Sequence, residues 1–225
     1  MGLLVTEGGG GGDFTPVPAG VHMGVCYTVL DLGTHDNTYQ GDTKRRHEVY
    51  VGWQIPALTV EIEKDGQKVV VPQTIGKFYT MSLFKQATLR KHLDAWRGKP
   101  FTKEELDGFE LFNIGGVGCQ MVVTNEQKAD GSVKAKVEAV MPLPEGLAPP
   151  PLDGPVVTYS LQDGGDIPAD VKDGLAKIIE SSFEWQAMLR ASGTMDTETG
   201  VTQADPPPPT AADMAAPIEE ESLPF

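Results

Sequence analysis

Residues 87–96, ATLRKHLDAW, decide the fold, because the spacing of apolar residues changes there. Leu89, Leu93 and Trp96 recur at intervals of four and three, which predicts one apolar stripe on a short helix. The run Gly98-Lys99-Pro100 ends that helix. On both sides of it the sequence alternates with the period of two that is typical of β-strands.

Upstream of the helix, the sequence predicts a succession of strands and turns. Residues 33–42 are rich in Asn, Asp, Thr and Gly, which predicts a loop. Lys64-Asp65-Gly66 has the composition of a hairpin turn. The expected elements are strands over residues 21–32 and 45–55, a hairpin over 58–72, and a strand over 75–83.

Downstream of the helix, Thr102 and Glu105 have the spacing of a capping box and predict a helix of one or two turns. Two more strands are expected, over residues 117–124 and 133–140. A single main helix ahead of the last strand pair favours a mainly β fold, an OB-fold-like five-stranded barrel in which that helix is the plug. Another small barrel, or a β-rich α+β fold with the same element order, is the alternative.

Composition divides the chain into four parts. Residues 1–13 end in a glycine run and are expected to be a flexible leader, and residues 14–155 form the OB-like domain. Residues 156–190 are expected to be a helical extension, with a short amphipathic helix over 167–179. Residues 191–225 are rich in Pro, Ala and acidic residues, and we expect a disordered tail.

The distribution of charge is more informative than the net charge of −14. Residues 1–150 sum to −3 and residues 151–225 to −11, whereas residues 41–100 sum to +5. The body is therefore nearly neutral with a basic middle, and the tail is strongly acidic. A basic middle keeps nucleic acid open as a partner despite the acidic total.

The tail ends in an apolar tripeptide behind three carboxylates. Such an end is expected to be a peptide that a partner protein captures, with the phenylalanine entering a pocket and the carboxylates facing a basic rim. The alternative is a solubilising acidic tail that happens to end in Phe. The predicted partner-binding residues are Glu219, Glu220, Glu221, Leu223, Pro224 and Phe225.

Basic and aromatic residues are interleaved on the predicted strands, as single-stranded nucleic acid requires of a binding surface. Tyr50 is the best stacking candidate, because it lies opposite the apolar face and on the same face as Arg46. Trp53, and one of Phe78 and Tyr79, can also be explained as core. The predicted DNA-binding residues are Lys44, Arg45, Arg46, Tyr50, Trp53, Lys77, Phe78, Tyr79, Lys134 and Lys136.

The sequence gives no positive case for an enzyme, a metal site or a cofactor. The four histidines have neither helical-pair nor zinc-finger spacing, and no G-x-S-x-G elbow is present. Cys26 and Cys119 are expected to be buried reduced thiols. With no apolar run approaching twenty residues, the chain is expected to avoid membranes and to be cytoplasmic.

The chain resembles a family of phage and prophage proteins described as single-stranded-DNA-binding proteins, over about residues 14–187. The resemblance is carried by short blocks: Leu30-Asp31-Leu32-Gly33-Thr34, Lys77-Phe78-Tyr79-Thr80-Met81-Ser82-Leu83, Trp96-Arg97-Gly98, Met141-Pro142-Leu143-Pro144 and Ser182-Phe183-Glu184-Trp185. Separately, Leu223-Pro224-Phe225 behind acidic residues is similar to the tail tip of bacterial single-stranded-DNA-binding proteins. The tip resemblance implies recruitment of replication and repair enzymes, whereas the DNA contacts named above come from the residues.

Two functions of different classes follow from these patterns. The first is a phage or prophage single-stranded-DNA-binding protein that coats and protects DNA in replication or recombination and recruits partners through its tip. The second is a protein–protein adaptor that diverts a host replication factor. An OB-containing nuclease or ligase fragment is weaker, because no cluster of metal-binding carboxylates is visible. Small barrels bind DNA as monomers, dimers or tetramers, so a homo-oligomer stays open.

Overall fold

Three long strands begin the fold in this computed structural model, which describes residues 15–39, 41–64 and 66–192. Three shorter strands, four α-helices and one 3-10 turn at Leu111–Ile114 complete it. In chain order the elements are β1 Gly20–Tyr39, β2 Asp42–Lys64, β3 Gln67–Thr80, α1 Thr88–Arg97, α2 Lys103–Asp107, β4 Gly118–Gln127, β5 Val133–Met141, β6 Val157–Tyr159, α3 Asp173–Glu180 and α4 Phe183–Ala191.

All six strands belong to one sheet, which confirms the mainly β class. Pairing follows the order β3-β2-β1-β4-β5 with antiparallel neighbours, and β6 adds to β1 in parallel. The expected closed barrel is not confirmed, because among the described residues no strand pairing joins β3 to β5. The two edges are instead bridged by a side chain: the Lys77 ammonium donates to the Val137 carbonyl oxygen at 2.6 Å.

The predicted loop over residues 33–42 is wrong, since residues 33–39 belong to β1 and β2 begins at Asp42. Residues 33–39 and 42–48 pair as a two-stranded extension of the sheet, which we call the β1–β2 arm. Thr34 pairs with His47 and Tyr39 with Asp42 in an uninterrupted ladder. Polar side chains across the strands replace apolar contacts: Asn37 donates to Glu48 at 2.8 Å, and the Thr38 and Thr43 hydroxyls lie 2.8 Å apart. Turn-forming composition indicated a loop, but cross-strand polar pairs stabilise a solvated ribbon equally well.

The first hydrophobic cluster lies between one face of the sheet and α1. The apolar stripe of α1 is confirmed, with Leu89, Leu93 and Trp96 all buried. The Trp96 indole nitrogen donates to the Gly118 carbonyl oxygen at 2.9 Å, and the helix ends at Gly98 with φ +68°. β2 contributes alternating residues to this cluster, as the sequence pattern predicts: Val49, Val51, Trp53 and Ile55.

The capping box at α2 is confirmed in both directions. The Thr102 hydroxyl accepts from the Glu105 backbone N–H at 3.3 Å, and the Glu105 carboxylate accepts from the Thr102 N–H at 2.9 Å. This short helix has no fully buried residue, and it is held by the cap, by the contact of Glu105 with Arg97 and by packing of Leu106 against the hydrophobic core.

In β5, a bulge changes which residues face the core. Val123 pairs with Val137 and Val122 with Ala139, which leaves Glu138 without a partner in the ladder. Val137 and Val140 are both buried, three residues apart, whereas strict alternation places Val137 and Ala139 on the same face. The sequence pattern therefore holds for β5 only as far as the bulge.

A second hydrophobic cluster lies on the other face of β1 and β2, under residues 156–191. Leu175 and Ile179 of α3 pack here, with Leu161 and Val171 from the segment before it. The strand residues that they cover are Leu30, Leu32 and Tyr50. The helix predicted over 167–179 begins only at Asp173 and ends at Glu180, because the preceding residues form a turn.

Candidate nucleic-acid interface

An open cleft of about 610 Å³ lies beside β3, where that strand passes into the connection to α1. We call it the β3 cleft. From the strands it is lined by four predicted site residues, Arg46, Lys77, Phe78 and Tyr79. From the connection and the start of α1 it is lined by Ser82, Phe84, Gln86 and Thr88. The cleft therefore combines cations, aromatic rings and hydroxyl or amide groups in one place.

Two phenylalanine rings are exposed at this cleft. The side chain of Phe78 is 48% exposed, and that of Phe84 is 73% exposed. The Phe78 ring makes an edge contact with the buried Tyr50 ring, with 5.1 Å between centroids, so its orientation is fixed by packing. Large exposed apolar rings are costly to leave in water, and stacking on an unpaired base would cover them.

The cations of the cleft differ in how they are held. Arg46 is exposed on β2 and its guanidinium can reach a phosphate group. Lys77 is half-buried at the gap between β3 and β5. Burial lowers the pKa of its ammonium, and the nearby positive charge of Lys136 lowers this pKa further against the opposing effect of Glu138. Lys77 therefore combines a structural role at the edge of the sheet with its position in the cleft.

Three of the four predicted stacking aromatics lie in the core instead. Tyr50 is 9% exposed, Trp53 1% and Tyr79 4%. The Tyr50 prediction is corrected because residues 156–191 cover the face on which it lies. Trp53 packs against Trp96 of α1 in the hydrophobic core, and the Tyr79 hydroxyl lies 2.8 Å from Nδ1 of His92. These three rings cannot stack on a base in this structure. Of the four predicted aromatics, Phe78 alone is exposed enough to do so.

The other predicted cations lie outside the cleft, in two groups. Lys44 and Arg45 are exposed on the β1–β2 arm, where Arg45 contacts Asp36 at 3.3 Å. Lys134 is exposed and Lys136 half-buried on β5, where Lys136 forms an ion pair with Glu126. Lys77 donates to the Val137 carbonyl oxygen of β5, so β5 approaches the cleft across the gap in the sheet. The structure thus brings Arg46, Lys77, Phe78 and the buried Tyr79 together at the cleft, but not the whole predicted set.

Phe84 is an aromatic residue of the cleft that is not among the predicted site residues. It lies in the irregular connection between β3 and α1, where no periodicity assigns a side chain to a face. The sequence nevertheless contains a signal for this residue. Phe84 directly precedes Lys85 in a connection between two elements, and such connections usually lie on the protein surface. Lys85 is exposed beside it and adds a third cation near the cleft.

The arginines of α1, which the sequence analysis left out of the site, have structural partners. Arg90 contacts Asp94 at 3.2 Å and donates to the Leu83 carbonyl oxygen at 3.0 Å. Arg97 forms an ion pair with Glu105, and its guanidinium lies 4.2 Å from the centroid of the Phe101 ring. Both side chains tie the helix to its surroundings rather than presenting free charge to a ligand.

Within the described ranges, no three His, Cys, Asp or Glu side chains lie together in a way that could hold a metal ion. Both cysteines are buried, and burial raises the pKa of the Cys119 thiol to about 12, so its reactive thiolate form is strongly disfavoured. None of the helices described is long and apolar enough to cross a membrane. The predicted tail residues 219–221 and 223–225 lie outside the described part of the chain.

Comparison with known proteins adds no assignment to this geometry. No protein-family model matches the chain, and no curated protein matches it either. The function is therefore inferred from the β3 cleft and from the sequence patterns.

Proposed function

We propose that this chain is a single-stranded-DNA-binding protein whose DNA interface is the β3 cleft. The observation that carries the proposal is the pair of exposed rings, Phe78 and Phe84, beside the cations Arg46 and Lys77 in one open cleft. Cations neutralise phosphates and release their counterions, and aromatic faces stack on unpaired bases. These are the two interactions that binding to single strands requires.

The chemistry of the cleft favours binding without sequence preference. Every base offers a flat face to a phenylalanine ring, and a ring reads no hydrogen-bond pattern. Ser82, Gln86 and Thr88 supply hydrogen-bonding groups at the same cleft, which can contact phosphate or sugar oxygens. Duplex DNA hides its base faces by stacking, so the exposed rings give single strands the advantage.

The biological setting is proposed from the sequence. A phage or prophage protein of this kind would coat and protect single-stranded DNA during replication or recombination in the cytoplasm of the bacterial host. Its acidic tip, residues 219–225, would recruit a replication or recombination protein, and assembly into a homo-oligomer is compatible with this role. The DNA-binding body and the recruiting tip would then be separate parts of one chain.

The alternative, a protein–protein adaptor, is favoured by one structural observation. Phe84 and the neighbouring Met81, which is 50% exposed, would also suit an apolar groove on a partner protein. The two functions differ in their dependence on salt, because an apolar protein contact is much less sensitive to salt than a phosphate contact. A salt titration therefore separates them.

The experiment compares Arg46→Ala with the matched control Lys68→Ala. Both variants lose one positive charge from an exposed side chain, but Lys68 lies at the far β2–β3 turn and contacts Glu61 at 2.7 Å. Fluorescence anisotropy with labelled oligo(dT) is measured for each full-length variant from low to moderate salt. We expect Arg46→Ala to bind several-fold more weakly, with a salt slope smaller by about 0.7, and Lys68→Ala to resemble the wild type.

Two results would contradict the proposal. Absence of binding to oligo(dT) by the wild-type chain at low salt would exclude the DNA function and leave the adaptor. Equal loss in both variants would mean that DNA responds only to the total charge of the protein and not to the β3 cleft.

A further inference from the structure

The first turn of α4 lies against the β1–β2 arm. Its N-cap, Ser182, is fully buried and packs directly on Gly33, which has φ +79°. A Cβ atom at Gly33 would lie 2.5 Å from the Cβ of Ser182, so only glycine permits this approach. The α4 helix is therefore fitted closely to the backbone of β1 at the base of the arm.

Two side chains of this turn bind the arm. The Glu184 carboxylate accepts from the Thr34 backbone N–H at 2.7 Å and from the Thr34 hydroxyl at 2.5 Å. The Phe183 ring lies under the guanidinium of Arg45, with 4.2 Å from Cζ to the ring centroid. Two consecutive residues of α4 thus hold a backbone N–H at the outer edge of β1 and a cation of β2.

His47 connects this contact to the interior of the sheet. Its Nε2 lies 2.6 Å from the Asp31 carboxylate, and its Nδ1 lies 3.8 Å from the Glu184 carboxylate. The Asp31 carboxylate also accepts from the Gly33 and Leu161 backbone N–H groups. Together Phe183, Glu184, Thr34, His47 and Asp31 form what we call the α4 clamp.

The clamp holds both neighbours of Arg46 along β2. Arg45 is held by Phe183 and His47 by Glu184 and Asp31. Side chains alternate between the two faces of a strand, so Arg46 leaves β2 on the face opposite to Arg45 and His47. Fixing these two neighbours fixes the strand from which Arg46 reaches the β3 cleft.

We propose that the α4 clamp positions the β1–β2 arm, and with it Arg46, so that the state of the clamp regulates the affinity of the β3 cleft for single-stranded DNA; this rests on the function proposed above. Glu184 and His47 are then positioning residues that need not touch DNA. Loosening the clamp costs affinity because the arm must be ordered again when DNA binds.

Protonation of His47 tightens the clamp. The hydrogen bond to Asp31 raises the pKa of His47 above its ordinary value of 6.5, and the charges of Asp31 and Glu184 raise it further against the effect of burial. The charged groups that face this ring are Asp31 from β1 and Glu184 from α4, with Arg45 nearby on its own strand. Because the pKa is raised in the folded state, the contribution of His47 protonation to the clamp is complete below pH 6.5. It is lost as the pH rises through the higher pKa of the folded protein.

The test uses Glu184→Gln, with Glu180→Gln as the matched control. Both changes remove one negative charge, and Glu180 is exposed at the end of the neighbouring helix α3. If charge alone mattered, both variants would bind oligo(dT) as tightly as the wild type or more tightly. If the clamp positions Arg46, Glu184→Gln should bind oligo(dT) roughly three- to tenfold more weakly than the wild type at pH 6, whereas Glu180→Gln should not.

Two further measurements keep the test decisive. Phe183→Leu changes no charge and keeps an apolar side chain, and we expect a smaller loss of affinity in the same direction. At constant ionic strength, wild-type affinity should fall between pH 6 and 8.5, and the fall should be shallower in Glu184→Gln. Circular dichroism on each variant checks that the fold is retained.

The possible failures are distinguishable. If the wild type binds oligo(dT) and Glu184→Gln matches Glu180→Gln at every pH, the regulatory proposal is wrong and the DNA function stands. If the wild type does not bind at all, both proposals fail. Hydrogen exchange at the Thr34 amide then reports only whether the contact stabilises the arm.

Discussion

Exposure separates the aromatic residues that can stack on a base from those that fill the core. Phe84 is the most exposed large apolar side chain at the β3 cleft, and its removal takes little from the packing. We expect Phe84→Ala to lower affinity for oligo(dT) by roughly five- to a hundredfold, since a base–aromatic stack contributes about 1–3 kcal/mol. The free energy of unfolding should change by less than about 0.5 kcal/mol.

Leu147→Ala is the control for this substitution, because it removes another exposed apolar side chain outside the cleft. Anisotropy titrations and denaturant unfolding on both variants give the comparison. Equal affinity of Phe84→Ala and Leu147→Ala for oligo(dT) would show that Phe84 does not stack on a base.

Residue-level prediction from the sequence succeeded where alternation alone decides burial. The pattern in β2 placed Val49, Val51 and Trp53 on the core face, where they lie. It also placed Tyr50 on the opposite face, but that face is covered by side chains from residues more than 100 positions away. Local periodicity assigns a residue to a face and contains no information on what packs against that face.

At the level of elements, the two helices after β3 were predictable because their signals are local. The α1 stripe and the capping box of α2 were both expected from a few residues and both form. The bounds of β1 and β2 were not predictable, because a polar ribbon owes its strands to cross-strand partners such as Asn37 and Glu48. The bulge at Glu138 depends likewise on its partner strand.

The helical extension supplies the element-scale prediction. Residues 156–191 cover Leu30, Leu32 and Tyr50, and burial of each such side chain contributes about 1.5–3 kcal/mol. A chain ending at Pro155 should therefore lose about 5 kcal/mol or more, a large part of the usual stability of a domain. A chain ending at Ser192 should keep the unfolding midpoint of the full-length protein.

Urea unfolding followed by tryptophan fluorescence measures both truncations. Equal midpoints for the chain ending at Pro155 and the full-length chain would mean that the extension adds nothing to the body. This also decides how the tail must be removed: a DNA-binding comparison without residues 193–225 requires a chain that ends at Ser192.

At the level of the whole molecule, the architecture brings chemistry from distant parts of the sequence to one side of β3. Arg46 comes from β2, Phe78 from β3 and Phe84 from the connection to α1, while α4 holds the arm from which Arg46 extends. The sequence predicted a mainly β body with a basic middle and an acidic end. The grouping of the site residues follows from the pairing of β2 with β3 and from packing of the extension, which have no local signature.

The most direct test of the central claim, that the β3 cleft holds single-stranded DNA, is photo-crosslinking. A bromouracil-substituted oligonucleotide is crosslinked to the full-length chain, and the attached peptides are identified by mass spectrometry. We expect crosslinks at Phe78 and Phe84, which disappear when unlabelled oligo(dT) competes. Crosslinks confined to residues away from the cleft, such as Lys134 on β5, or no crosslinks at all, would contradict it.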